Sequence, residues 1–175
     1  GKGVAVSNGA SCGAWAAAGG VGTFSAVNAD SYDEEGRVIR QTYSGRTRRD
    51  RHEELVAYGI AGGIAQAREA HERAGGQGRI HANILWEMGG AERVIRGVLE
   101  GAKGLINGIT CGAGMPYRLA DIARDFGVFY YPIVSSARAF NALWKRAYSK
   151  AAEWLTAVVY EDPWLAGGHN GLSNA

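Results

Sequence analysis

Five short apolar runs recur along this chain, at residues 21–25, 79–86, 105–109, 128–134 and 157–160, and helical spacing fills the intervals between them. Runs this short, bounded by glycine and polar residues, read as buried strands. A strand–helix alternation of this kind argues for parallel strands joined by crossover helices. Two α/β architectures fit, an open doubly wound sheet and a closed (β/α)8 barrel, and the pattern alone allows both. The intervening helices are legible in outline. An alanine-rich segment, 10–18, precedes the first run. Asp50 with Glu53 predicts a capping-box start for a long helix. Val56, Ile60, Ile64, Ala67 and His71 would share its inner face, and Gly75-Gly76 would end it. His71 is expected at the core edge, with no metal role, and His52 in the first turn is expected to be solvated. Ala91, Val94, Ile95, Val98 and Ala102 mark a second helix, and Leu119, Ile122, Ala123 and Phe126 a third, stopped by Gly127. Ser135 or Ser136 caps a last one with Ala137, Phe140, Trp144, Ala147 and Ala151 inward.

One stretch breaks the rhythm. Residues 30–50 hold Asp33, Glu34, Glu35, Arg37, Arg40, Arg46, Arg48 and Arg49, with a turn expected at Glu35-Gly36. It reads as a polar insertion within a single domain, 1–175. It leaves the second strand of the expected barrel, so it is expected to form a lid over the ligand face.

Composition narrows the function classes. Glycine is abundant, 27 of 175 residues, and it clusters where strands and helices should end, as tight loops require. A net charge of +2 makes no case for nucleic acid as a partner. No apolar run reaches the ~18 residues of a membrane span, and no signal peptide is visible. The two cysteines, Cys12 and Cys111, lack metal spacing and read as reduced thiols of a cytoplasmic protein. No metal site is expected.

Chemistry is suggested by Ala166-Gly167-Gly168-His169-Asn170-Gly171, which follows the last apolar run. A strand thus enters a glycine turn that carries an imidazole. Glycines let backbone approach a ligand closely, and histidine exchanges protons near neutral pH. That combination suits a flat or anionic ligand held beside a base.

These residues resemble the AGGH-x-G segment of the nitronate monooxygenases, also called 2-nitropropane dioxygenases, and of related flavin-dependent enoyl-acyl-carrier-protein reductases. Three more stretches agree in order. Gly1-Lys2-Gly3-Val4-Ala5-Val6-Ser7 is similar to the glycine loop after that family's first strand. Ala18-Gly19-Gly20-Val21-Gly22 is similar to its step into strand two, and Cys111-Gly112-Ala113-Gly114-Met115-Pro116 to its G-x-G-x-P loop after strand four. The resemblance implies a (β/α)8 TIM barrel, of which this chain would be an incomplete fragment, since a barrel typically takes ~250 residues. It implies FMN as cofactor, and a nitronate or nitroalkane with oxygen as substrates. His169 would be the catalytic residue. Gly1, Lys2, Gly3, Asn83, Asp162, Gly167 and Gly168 would touch the flavin. Lys2 stands where many relatives carry Met, beside the flavin's N1–C2=O edge. An NAD(P)H-dependent flavin reductase of enoyl thioesters or quinones shares the scaffold, and a non-catalytic partial barrel is the alternative from another class. The open edges of a partial barrel would allow pairing with another copy, a homo-oligomer.

The chain departs from the family in three places. Leu165 stands where many relatives carry Glu, Ile133-Val134-Ser135-Ser136 where some carry Lys, and Pro163-Trp164 replaces a glycine-containing turn. These departures bear on the substrate more than on the cofactor. No strand–GxGxxG–helix unit for a nicotinamide cofactor is present.

Overall fold

A computed structural model describes residues 6–166. It is an α/β fold built on one five-stranded parallel sheet. In chain order come α1 (Gly9–Ala17), β1 (Val21–Ser25), α2 (Arg48–Ala74), β2 (Arg79–Leu85), α3 (Ala91–Gly101), β3 (Gly108–Gly112), α4 (Leu119–Phe126), β4 (Phe129–Val134), α5 (Ala137–Arg146), a 3-10 segment (Tyr148–Trp154) and β5 (Val159–Tyr160). The strands lie in the order β1-β2-β3-β4-β5, each parallel to its neighbour. A doubly wound sheet reverses its strand order at a switch point; among the described residues this sheet has no reversal. No helix among them is long and apolar enough to cross a membrane.

The two faces of the sheet differ in chemistry because strand side chains alternate. Phe24, Ile80, Ala82, Ile84, Ile109, Cys111, Tyr130 and Val134 join the buried core beneath the helices. The other face carries Ser25, Asn83, Thr110 and Tyr131 in register across four strands. One register step earlier lie Thr23, His81, Gly108 and Phe129. A row of neutral polar groups therefore crosses the sheet on that face.

Glycines set how closely the helices sit. A Cβ on Gly22 of β1 or on Gly62 of α2 would strike backbone, the carbonyls of Cys12 and Ala29 respectively. Between α2 and α3 the seam is reciprocal. Val94 and Val98 of α3 lie over Gly59 and Gly63, while Ile60 and Ile64 of α2 lie over Gly97 and Gly101. Each helix thus offers small residues one turn apart to the branched residues of the other, which permits a short interaxial distance.

Several element ends differ from expectation, each for a local reason. α2 begins at Arg48, with Thr47 as N-cap; Thr47 and Asp50 form the reciprocal capping box, and Asp50 is its third residue rather than its cap. Glu53 instead makes a two-pronged pair with Arg93 at 2.8 and 2.6 Å. β3 starts three residues later than its apolar run, because Asn107 is used as a clip: its side chain accepts from Ile80 N–H and its own N–H donates to the Ile80 carbonyl, both at 2.8 Å. Ile106 enters the core from the lead-in loop. β5 has only two residues of the expected four. The last helix ends at Arg146, and Ala151 belongs to the 3-10 segment. His71 is exposed, not at the core edge, because the buried stripe of α2 runs through its glycines and Gln66, Ala67, Ala70 and Ala74.

The polar insertion is not placed as a lid. Its expected turn exists, with Tyr32 bridged to Val38 and Gly36 at a left-handed φ of 76°. From there the segment is hydrogen-bonded along α2. Gln66 donates to the Asp30 carbonyl at 2.7 Å, Tyr58 donates to the Thr42 carbonyl at 3.0 Å, and Glu54 accepts from Ser44 and Gly45. Its charges stay in solvent while its backbone partners are supplied by the helix, so these contacts belong to the helix layer rather than to the strand ends.

Candidate functional site

Parallel strands bring all their carboxyl ends to one rim, which is where β/α folds carry their working residues. Ser25 ends β1. Its N–H donates to the Ser7 carbonyl at 2.7 Å, so the segment leading into α1 is fastened to this rim. Its hydroxyl accepts from Val27 N–H at 3.3 Å. Beyond β2 and β3 the pairing continues into the loops: Trp86 N–H donates to Gly112 and Glu87 N–H to Ala113, at 2.8 and 3.0 Å.

The loop after β3 is strained. Ala113 is buried at φ 58° and Gly114 follows at 121°. A left-handed alanine costs roughly 1–2 kcal/mol, and such strain persists only where the surroundings fix it. Here Tyr148 does the fixing from beneath, its hydroxyl donating to the Pro116 carbonyl at 2.9 Å and its ring edge-on to Tyr130 at 5.0 Å. Burial drives the Tyr148 phenol far above its ordinary pKa, so it stays a neutral donor.

The expected site residues divide into three groups. Gly1, Lys2, Gly3, Gly167, Gly168 and His169 lie outside the described residues. Asn83 is buried inside its strand. It sits two residues before the end of β2, 5% exposed, and its amide donates to the Thr110 carbonyl at 3.1 Å. Asp162 follows β5 on the rim and caps a turn: one carboxylate oxygen accepts from Trp164 N–H at 2.8 Å, and its carbonyl accepts from Ala166 N–H at 2.7 Å. Of the serines after β4, Ser136 is the N-cap of α5, accepting from Ala139 N–H. Ser25, Asn83 and Thr110 are therefore brought together on one face, with Asp162 on the same rim.

Sequence reading passed over His81. It is 6% exposed, and its ring lies 4.6 Å from that of Tyr131. The two belong to β2 and β4 and meet above Gly108 of β3, where a Cβ would strike both. Only the register, which aligns His81 with a glycine, reveals the pair. Burial lowers the His81 pKa from 6.5 to about 4, so the imidazole is neutral at neutral pH. The sign of its linkage follows. As pH falls from about 6.5 to about 4, the unfolded chain takes up a proton that the folded chain refuses, and stability is lost through that window. Urea midpoints measured across it should fall for the native chain and stay flatter for His81→Gln. Parallel curves for the two proteins would assign the fall to other groups. Asp33, Asp50 and Glu53, whose carboxyls are held below their ordinary range by hydrogen bonds from Arg37, Thr47 and Arg93, would act at lower pH.

The thiols are not candidates for nucleophilic chemistry. Both are buried and free; burial pushes Cys12 up to about 11 and raises Cys111 further. Among the described residues no three His, Cys, Asp or Glu side chains gather to hold a metal ion. What the described part of the site offers is a set of neutral donors and acceptors on a largely buried face, below a rim of glycine-containing loops.

No protein-family model matches the chain, and no curated protein matches it.

Proposed function

We propose that the chain forms five consecutive strands of a (β/α)8 barrel and acts as an FMN-dependent oxidoreductase of the nitronate monooxygenase type. It would oxidise alkyl nitronates with molecular oxygen to a carbonyl product and nitrite. One observation carries the reading. The unreversed order β1 to β5 brings Ser7 before α1, the strained loop 113–116 and the end of β5 to a single rim, and three of the family-like stretches adjoin these points in the sequence. Three of the four stretches thereby adjoin one rim, whereas Ala18 to Gly22 enters β1 at the opposite end of the sheet.

The described residues suit the ring of such a cofactor. An isoalloxazine is flat and uncharged, and it calls for neutral donors and acceptors with backbone close by. Asn83, Ser25 and Thr110 are of that kind, and Gly114 brings backbone without a side chain to the rim. When bound, the flavin would supply the two-electron chemistry. Gly1, Gly3, Gly167 and Gly168 would offer backbone N–H groups to its carbonyls, and Lys2 would place positive charge near its N1–C2=O edge. Asp162, fixed by Trp164 N–H, would meet the ring or the ribityl chain. His169 would take the substrate proton or stabilise an anionic nitro group. The buried free thiols of Cys12 and Cys111 support a reducing, cytoplasmic setting.

An NAD(P)H-dependent reductase of enoyl thioesters or quinones is the second reading. It is favoured by Trp164 and Leu165, 82% and 85% exposed beside the motif, an apolar lip suited to a larger substrate. The visible absorption spectrum of the protein, purified with the strands that would complete the barrel and reconstituted with FMN, is the first test: bound flavin is expected there, and its absence would remove both readings. Nitrite release from a nitronate under oxygen supports the monooxygenase. Rapid bleaching by NADH without oxygen, and no nitrite, would move the assignment to the reductase.

A further inference from the structure

A cavity of about 550 Å³ lies between α2 and residues 42–44. Its size is that of a small-molecule pocket. Tyr43 and Tyr58 meet edge to face at 5.8 Å to make one corner, and Ala57 and Ala61, one turn apart on α2, line it without filling it. Glu54 is the only charged residue in its lining. One oxygen of that carboxylate is fully used, accepting from Ser44 N–H, Ser44 hydroxyl and Gly45 N–H at 3.0, 2.7 and 2.9 Å. The other is shielded from water and has no hydrogen-bond partner. Among the described residues no basic side chain pairs with Glu54. The bonds from Ser44 and Gly45 hold its carboxyl below the ordinary range, so the charge is present at neutral pH.

An unpaired, dehydrated carboxylate oxygen is costly. Here it is packed away at the edge of a cavity lined by two tyrosine rings. We propose that this cavity is a binding site for a small organic amine, held as its ammonium ion by Glu54 with its body against Tyr43 and Tyr58. An ammonium satisfies the lone oxygen with a charge-assisted hydrogen bond, and the tyrosine faces attract the same cation. The terminal torsion of glutamate is broad, so an incoming ammonium can turn the carboxylate, exchanging part of its bonding to Ser44 and Gly45 for a charge-assisted bond. A carboxylate ligand would be repelled, and a neutral alcohol would gain no ion pair. The site lies on the outer side of α2 and does not depend on the reaction proposed for the rim.

Benzylammonium is the probe, with benzyl alcohol and benzoate as matched neutral and anionic controls, titrated into the protein and followed by calorimetry and tyrosine resonances. Saturable binding of benzylammonium is expected, weakened at least about tenfold by Glu54→Gln and for the alcohol, an effect of ~1.4 kcal/mol. Ala57→Leu should weaken binding by narrowing the cavity beside Tyr58 while leaving the Ser44 and Gly45 bonds intact; it serves also if Glu54→Gln does not fold. Absence of saturable binding, equal affinity for the alcohol, or unchanged binding in a folded variant would each overturn the assignment.

Discussion

Alanine at Gly62 should destabilise this protein severely, whereas alanine at Gly59, three residues earlier on the same helix, should leave it as stable or slightly more so. Both glycines lie inside α2, where alanine is the better helix former by ~1 kcal/mol. The sign is decided by what each new methyl meets. At Gly59 it would rest 3.4 Å from a Val94 methyl, ordinary contact. At Gly62 it would overlap the Ala29 carbonyl, which is backbone and cannot turn aside. Relief would require residues 29–30 to leave the helix, breaking the 2.7 Å bond from Gln66 to the Asp30 carbonyl. A cost of about 3 kcal/mol or more is expected, at the upper end for overpacking, or roughly 6–12 °C in Tm for a domain of this size. Gly63→Ala should fall between the two, because its obstacle is the Val98 side chain, which can shift. Urea midpoints of the three variants decide the matter. If Gly62→Ala matches the native chain, the seating of residue 29 on α2 is wrong.

His169→Ala should lower turnover by roughly 10²–10⁴, the range for loss of a general acid or base. The expectation rests on the proposed chemistry and on the position of His169 in the glycine motif after β5. Removing an imidazole that only fills a turn would leave turnover unchanged at saturating substrate. Removing one that transfers a proton lowers kcat and erases its ionisation from the pH–rate profile. Flavin retention, measured on the same sample, separates loss of chemistry from loss of cofactor. A variant that keeps its flavin and full activity would exclude the assigned role.

The rhythm of the fold was legible because it depends on side-chain hydrophobicity, which sequence displays. Gly75 and Gly127, read as helix stops, are left-handed C-caps at φ 58° and 65°. What escaped depends on backbone or on register. The α2–α3 seam is hard to read because its holes are glycines, and apolar spacing counts only the knobs. The start of α2 was misplaced because Asp50 is equally plausible as cap and as third residue; Thr47 decides, and its hydroxyl is visible only in geometry. The late start of β3 follows from Asn107, whose clip to Ile80 spans 27 positions. His81 looked ordinary until Gly108 was aligned with it. The insertion looked like a lid because its charges exclude burial, but charge says nothing about which surface receives the backbone. Asn83, named as a flavin contact, lies buried two residues inside the end of β2. Asp162, named as a flavin contact, caps a turn.

The same insertion bears on how the sheet comes together. Val21 pairs with Arg79, whereas His81 pairs with Gly108 and Gly108 with Phe129, so the first loop to close is between two and three times as long as either of the next two. Closure entropy grows only with the logarithm of length, and a doubling costs ~0.6 kcal/mol. The long detour is therefore almost free to the sheet at equilibrium. Its burden falls on assembly, because β1 must wait for a helix of 27 residues and a hairpin before its neighbour arrives. The β2, β3 and β4 units, with short closures and consecutive pairing, are the part of the chain that topology lets form first.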